Sequence, residues 1–219
     1  MKKILTAALL LTSSFLLTSC ISQKTTVIKQ EEQAVTLKQN SGVSQALRVA
    51  IARFENRSDY NNGVFANGSL SQQGLDTLVQ AMTQSGYYTV MNRSQLAALN
   101  YESSLNGYEF KPVGARYVVS AAITEFGHRT ETTRVFFGFV GKSKTDVAYA
   151  TVTISLIDTQ TSAVVASSAG TAQLDITGTK VLGSGGSVSY DSSQNSRVLT
   201  QAIREAVNNL ITQTSRLTN

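Results

Sequence analysis

Cysteine and histidine, the two residue types richest in chemistry, occur once each in this chain, as Cys20 and His128. One cysteine forms no internal disulfide, and one cysteine with one histidine falls short of a structural zinc set. A Ser-His-Asp hydrolase would have to be built on His128 alone, a poor start for nucleophilic catalysis. Asp146, Asp158 and Asp175 are scattered over expected strands and turns with no motif around them, where solvated or turn-forming roles are the ordinary ones. No enzyme, no metal centre and no cofactor site is expected. That leaves the chemistry of Cys20 itself.

Cys20 closes the segment Leu17-Thr18-Ser19-Cys20, which has the look of a bacterial lipobox. Met1-Lys2-Lys3 is a short cationic start, and the run from Ile4 to Leu17 is apolar apart from hydroxyl residues. Such a run suits a signal-peptide core and is too short for a bilayer-spanning helix of about 20 residues. The expectation is cleavage before Cys20, with acyl chains on its thiol and new amino group. Residues 1–19 are then the lipoprotein signal peptide and 20–45 an acylated, polar tether. Two or three acyl chains anchor stably where one is marginal. Ile21-Ser22 contain no aspartate to hold the protein at the inner membrane, so the expected location is the outer membrane, facing the periplasm.

The 219 residues are 42% hydrophobic and 15% charged, with one proline. Ser, Thr, Asn and Gln together outnumber the charged residues more than twofold, which fits one globular domain with a real core. The net charge of +5 loses Lys2 and Lys3 with the signal. No cluster of Lys and Arg interleaved with aromatics remains to read as a nucleic-acid footprint.

Alternation of Leu47, Val49 and Ile51 predicts a strand over Ala46 to Phe54. A loop rich in Asn, Asp, Ser and Gly follows, and Ser69 with Gln72 reads as a capping box opening a helix on Leu75, Leu78, Val79 and Met82. Gly86 ends that helix before a short strand at Tyr87 to Met91. Asn92, with Gln95 three residues on, is expected to open a second helix through Leu96, Leu99 and Leu105. Strands are expected from Tyr117 to Phe126, Val147 to Ile157 and Ala163 to Thr177, with a turn at Asp158 to Ser162. A broad apolar stripe from Val198 to Ile211 marks a last helix over Arg197 to Thr212, docked on the sheet. The fold class is α+β, a mixed sheet packed with helices, over residues 46–215.

Three stretches resemble one family. Val90, Arg93, Leu96, Leu99 and Glu102 form the first; Ala115 to Val119 leading into Ile123 to Gly127 form the second. The third runs from Val152 through Asp158, Thr161 and Ser162 to Ser167, and the family often has Gly at the position of Ser162. Their order and spacing resemble the curli production assembly/transport component CsgG family of outer-membrane lipoproteins, from about Leu47 to Leu210.

The resemblance implies a ring-like homo-oligomer whose subunits each give two β-hairpins to an outer-membrane β-barrel. Unfolded curlin subunits would pass passively, with curli accessory proteins and the lipid bilayer as further partners. It also implies a pore constriction in the loop Asp59 to Asn67, where Tyr60 and Phe65 match the aromatic positions. Val64 stands where the family has Asn, so Asn61 or Asn62 is the candidate polar member. An Asn-rich turn with its aromatics tucked onto the domain is the plainer alternative.

The hairpins are expected near 128–157 and 171–190. In the first, Val135, Phe136, Phe137, Phe139 and Val140 gather near a turn at Gly141-Lys142-Ser143-Lys144. They would be a membrane-facing tip in a barrel or a docking patch in a protein without a pore. In the second, Ala172, Leu174 and Ile176 alternate with Gln173, Asp175 and Thr177 ahead of a turn at Gly183 to Gly186, and Lys180 falls on the apolar face. The competing function is a non-pore, periplasm-facing lipoprotein of the same fold, serving as an envelope assembly or interaction factor.

Overall fold

The computed structural model describes residues 35–40, 45–60, 68–137, 139–176 and 192–215, with backbone alone at 131–137, 139–145, 176 and 192–193. The chain divides into two compact units, Met1–Gln33, which lies outside the described residues, and Ala34–Asn219. Signal peptide, Cys20 and most of the expected tether fall in the first.

The second unit is an α+β domain. Its elements are β1 (Leu47–Asn56), α1 (Ser69–Ser85), β2 (Tyr88–Val90), α2 (Leu96–Leu105), β3 (Tyr117–Phe137), β4 (Phe139–Asp158), β5 (Val164–Ile176) and α3 (Ser192–Thr214). They form a mixed sheet in the order β2-β1-β3-β4-β5. β1 runs parallel to both β2 and β3, and β3–β4–β5 is an antiparallel meander.

The core lies between one face of this sheet and helices α1 and α3. Alternation turns Val119, Ala121 and Ile123 of β3, and Ala148, Ala150, Val152, Ile154 and Leu156 of β4, toward the helices, all 3% exposed or less. On α3 the stripe Val198, Leu199, Ala202, Ile203, Ala206, Val207, Leu210 and Ile211 is buried as its period requires. The approach of α3 to β5 is close at Gly170, where an added Cβ would lie 2.2 Å from both the Ala202 carbonyl oxygen and the Ala206 nitrogen.

Three local expectations change. Gly68, at φ 82°, occupies the N-cap of α1 with no side-chain cap bond, and Gln72 donates to Asp76 (3.2 Å), so Ser69 stands one residue inside the helix and is not its N-cap. Asn92 does not open α2; its Oδ1 accepts from the Ser94 N–H (3.0 Å) and hydroxyl (2.9 Å), closing an Asx turn before Leu96. The reversal of the first hairpin is not at Gly141 to Lys144. Phe137 pairs with Phe139, while Gly141, Lys142, Ser143 and Lys144 pair with Val135, Arg134, Thr133 and Thr132 inside β4. The long register inherited from Tyr117–Asp158 decides this and overrides the turn-like composition of 141–144.

The stretch Val35–Asn40 is held on the domain. The Val35 N–H donates to Gln201 Oε1 (2.6 Å) and the Lys38 N–H to Asn208 Oδ1 (2.7 Å). Asn208 Nδ2 donates to the Thr36 carbonyl (2.8 Å), and the Asn40 N–H to the Ser85 carbonyl (2.9 Å). Leu37 is buried beneath them. The polar segment is therefore tied down along α3 before the sheet begins.

Candidate functional site: the ribbon base and the loop after β1

β1 pairs with β3 only as far as Asn56–Ile123, and the described pairing of β5 with β4 ends at Ile176–Asp146. Beyond those points β3 and β4 continue paired with each other to Phe137–Phe139. At about 3.3 Å per residue, the 21 residues of β3 extend on the order of 70 Å, and the two-stranded arm beyond residue 130 about 23 Å. A β-bulge between Ile123 and Glu125 marks where the ribbon departs from β1.

At the base of this ribbon, the end of β1 shapes the following loop. Asn56 Nδ2 donates to the Tyr60 carbonyl (2.9 Å), and its Oδ1 accepts from the Ser58 N–H (3.0 Å) and hydroxyl (2.6 Å). Thus held, the Tyr60 ring meets Phe126 edge-on at 5.0 Å and His128 at 6.1 Å. Burial pushes the His128 pKa below its usual value, while a hydrogen bond with Asn195 and the charge of Asp146 pull the other way. Asn195 is buried on the first turn of α3.

On the other side, a polar hollow of about 350 Å³ is lined by Arg57, Asp59, Glu125, Arg129 and Tyr149, among others. Arg129 stacks over Tyr149 at 5.3 Å, and the Thr151 hydroxyl donates to Glu125 (2.9 Å). Glu55 sits between Arg57 (2.9 Å) and Arg53 (3.1 Å). The Arg57 hydrogen bond is the main reason its carboxyl stays below the usual range. Nucleophile, base and orienting group do not converge in this hollow, and no group of three or more His, Cys, Asp or Glu suited to a metal occurs among the described residues. The arrangement is suited to contact, with an aromatic cluster on one side and mixed charge on the other.

Tyr60 is thus tucked against the sheet, while Asn61, Val64 and Phe65 lie outside the described residues. Val135, Phe136, Phe137, Phe139 and Val140 all fall at the far end of the ribbon, described by backbone only. Leu174 packs against the core, so its apolar character is used within the domain; Ile176 is described by backbone only. The expected turn of the second hairpin at 183–186 lies outside the described residues. Sequence reasoning missed Asn56 and Asn195, polar residues whose roles depend on what folds against them. The second helix expected through Leu96, Leu99 and Leu105 is present as α2, yet none of its residues is buried, and Leu99 and Leu105 are 42% and 63% exposed. Among the described residues no helix is long and apolar enough to cross a membrane, which leaves strands as a separate matter.

A mixed sheet covered by helices on one face, with a ribbon growing past its neighbours, defines a protein of α+β class. The model of the curli production assembly/transport component CsgG matches residues 30–217, and the chain belongs to that family. Over 213 residues it is 34% identical to a Neisseria meningitidis serogroup B protein named "Putative lipoprotein NMB1126/NMB1164", covering 96% of this chain and 95% of that one. Solved structures superpose more loosely. The protein XCC0632 of Xanthomonas campestris gives a TM-score of 0.44 at 15% identity, covering 83% of this chain and 91% of that one. Lipoprotein GNA1162 of Neisseria meningitidis gives 0.35 at 14%, covering 61% and 88%. Family and relative are both non-enzymatic in kind, and both point to a lipid-anchored place in the cell envelope.

Proposed function

We propose that the mature chain, acylated on Cys20, is one subunit of a ring-like homo-oligomer in the outer membrane that passively exports unfolded polypeptide, curlin-type subunits by family likeness. The supporting observation is the ribbon. Among the described residues the ribbon has no third strand beyond Thr130, and since an isolated two-stranded hairpin is at best marginally stable in water, such an arm calls for strands on either side or a bilayer around it. The described arm beyond Thr130 has seven residues, and it reaches the lower end of the ~9–11 that a tilted spanning strand needs only with Arg129 and Thr130, where β4 still pairs with β5. Arg134 pairs with Lys142 and Thr132 with Lys144 in the register. A cation at mid-bilayer costs roughly 2–4 kcal/mol on a lipid-facing position, so these positions belong to the lumen or an interface. Tyr60, at the ribbon base, would then lie near the entrance of the conduit, with Phe65, Val64 and Asn61 in the same loop.

The test is reconstitution of the detergent-extracted protein in a planar bilayer. A ring with stable single-channel conductance that changes in Tyr60→Ala supports the reading, and a monomer that never conducts overturns it. Cys20→Ser should abolish fatty-acid labelling; undiminished labelling would remove the anchor.

One observation favours a second reading, a periplasm-facing lipoprotein without a pore. Tyr60 is engaged with Phe126 and His128 of its own sheet, as in a tucked turn. Under that reading, deleting Phe136–Val140 removes a partner from pull-downs while the domain stays folded.

A further inference from the structure

Among the described residues the sheet ends on one side at β2, only three residues long, and on the other at β5, which runs for thirteen. A long edge strand presents a row of backbone donors and acceptors to any strand that comes alongside. In the middle of β5, one backbone group at each of three outward positions is taken by a side chain of α3. The Ser167 N–H donates to Gln213 Oε1 (3.1 Å), Asn209 Nδ2 donates to the Ala169 carbonyl (2.8 Å), and the Thr171 N–H donates to Glu205 Oε2 (3.0 Å).

The spacing makes this a ladder and not three separate bonds. Residues 167, 169 and 171 are alternate positions of a strand, those whose backbone groups face away from β4. Residues 213, 209 and 205 are successive four-residue steps along one helix face. Two residues of strand advance about 6.6 Å and four residues of helix about 6.0 Å, so the two periods stay in step for three rungs. Donor and acceptor types also alternate correctly: carbonyl acceptor for N–H, amide donor for carbonyl, carboxylate acceptor for N–H. The close approach at Gly170, between the last two rungs, sets the helix near enough to reach.

We propose that this ladder stands in for a neighbouring strand and closes the β5 edge, from Ser167 to Thr171, to strand addition by a second copy of this chain. The occupant excluded is another β5, because the exposed residues Thr171 and Gln173 and the exposed Val164 and Val165 recur on every copy and their strand is already in extended form. This closure is independent of whether the chain exports anything.

The test uses full-length protein in detergent and a labelled peptide with the sequence Val164–Ile176 as the incoming strand. In the native chain, hydrogen exchange at the Ser167 and Thr171 amides should be slow, and the peptide should not bind. In the triple variant Glu205→Ala, Asn209→Ala, Gln213→Ala the two amides should exchange fast and peptide affinity should rise at least about tenfold. Fast exchange in the native chain, or a folded triple variant that binds no more peptide than the native chain, overturns the closure. Should the triple variant lose its α3 circular-dichroism signal, Asn209→Asp keeps the side-chain size and sets a carboxylate against the Ala169 carbonyl. Raised peptide binding supports the closure, and unchanged binding overturns it.

Discussion

Replacing Gly170 with Ala puts one methyl group where the structure has least room for it. Its Cβ would stand 2.2 Å from the Ala202 carbonyl oxygen, 2.2 Å from the Ala206 nitrogen and 2.9 Å from the Ala206 Cα. All three are main-chain atoms of α3, so no rotamer change gives way. Restoring ordinary contact requires α3 to recede by about 1.2 Å, and the stripe from Val198 to Ile211 loses contact with the sheet as it does. Overpacking of a close-packed core typically costs 1–3 kcal/mol, and a backbone collision belongs at the top of that range, ~3 kcal/mol. For a domain of this size that lowers the melting temperature by roughly 6–12 °C. Thermal unfolding followed by circular dichroism measures it. Gly74→Ala provides the contrast, because there the added Cβ meets the ring of Phe54, at 2.2 Å from Cε1 and 2.5 Å from Cζ. Adding Phe54→Leu should recover most of the Gly74→Ala loss in a double-mutant cycle. A melting temperature for Gly170→Ala within about 2 °C of the native chain would refute the reasoning, since α3 would then be free to move without cost.

Burial raises the Tyr88 pKa to about 12, the hydrogen bond to Thr214 opposing it, so the folded state keeps the proton after the unfolded chain has lost it. Stability should therefore fall as pH rises from about 10 toward 12, by on the order of 2 kcal/mol, and Tyr88→Phe should lack that alkaline loss in urea titrations. Asp158 behaves oppositely. Backbone N–H groups of Gln160 and Thr161 hold its carboxyl below the usual range, so its contribution is complete at neutral pH and is lost progressively as pH falls below about 4 and through that lowered pKa. Asp158→Asn should be less stable at pH 7, and the gap to the native chain should close toward pH 3. Ser162 sits at φ 58°, a left-handed conformation that costs an L-residue about 1 kcal/mol, so Ser162→Gly should raise the urea midpoint by the equivalent of ~0.5 kcal/mol.

That last position shows how unevenly the fold can be read in advance. The resemblance marks 162 as a place where the family favours Gly, and the structure supplies the reason in a positive φ. Periodic elements were legible for the same kind of local reason: the α3 stripe and the alternation of β4 repeat a preference many times over. Single-residue features were not. Gly141, Lys142, Ser143 and Lys144 have the composition of a turn, but pairing that starts at Tyr117–Asp158 carries them into strand. Ser69 and Gln72 have the letters of a capping box, yet Gly68 takes the cap by conformation. Of the candidate site, the sequence pointed to Tyr60 but not to its surroundings, since Asn56, Phe126 and His128 meet it, and Asn195 meets His128, only when β1, β3 and α3 converge.

The polar residues of α3 carry the same lesson into function. Glu205, Asn209 and Gln213 read as the ordinary solvated flank of an amphipathic helix, and so do Gln201 and Asn208. In the fold the first three satisfy the edge of β5 and the other two hold Val35–Lys38 along the helix. One helix thus uses its apolar stripe to make the core, one polar flank to close a sheet edge and another to fix the segment that leads back toward Cys20. The homo-oligomer proposed above needs its contacts restricted to chosen surfaces. With β2 short and the middle of β5 closed, the ribbon beyond Thr130, beside which no third strand occurs among the described residues, is the part of the sheet best placed to meet another strand. The proposed self-assembly would then run through the ribbon, away from the body of the sheet, whether or not it encloses a pore.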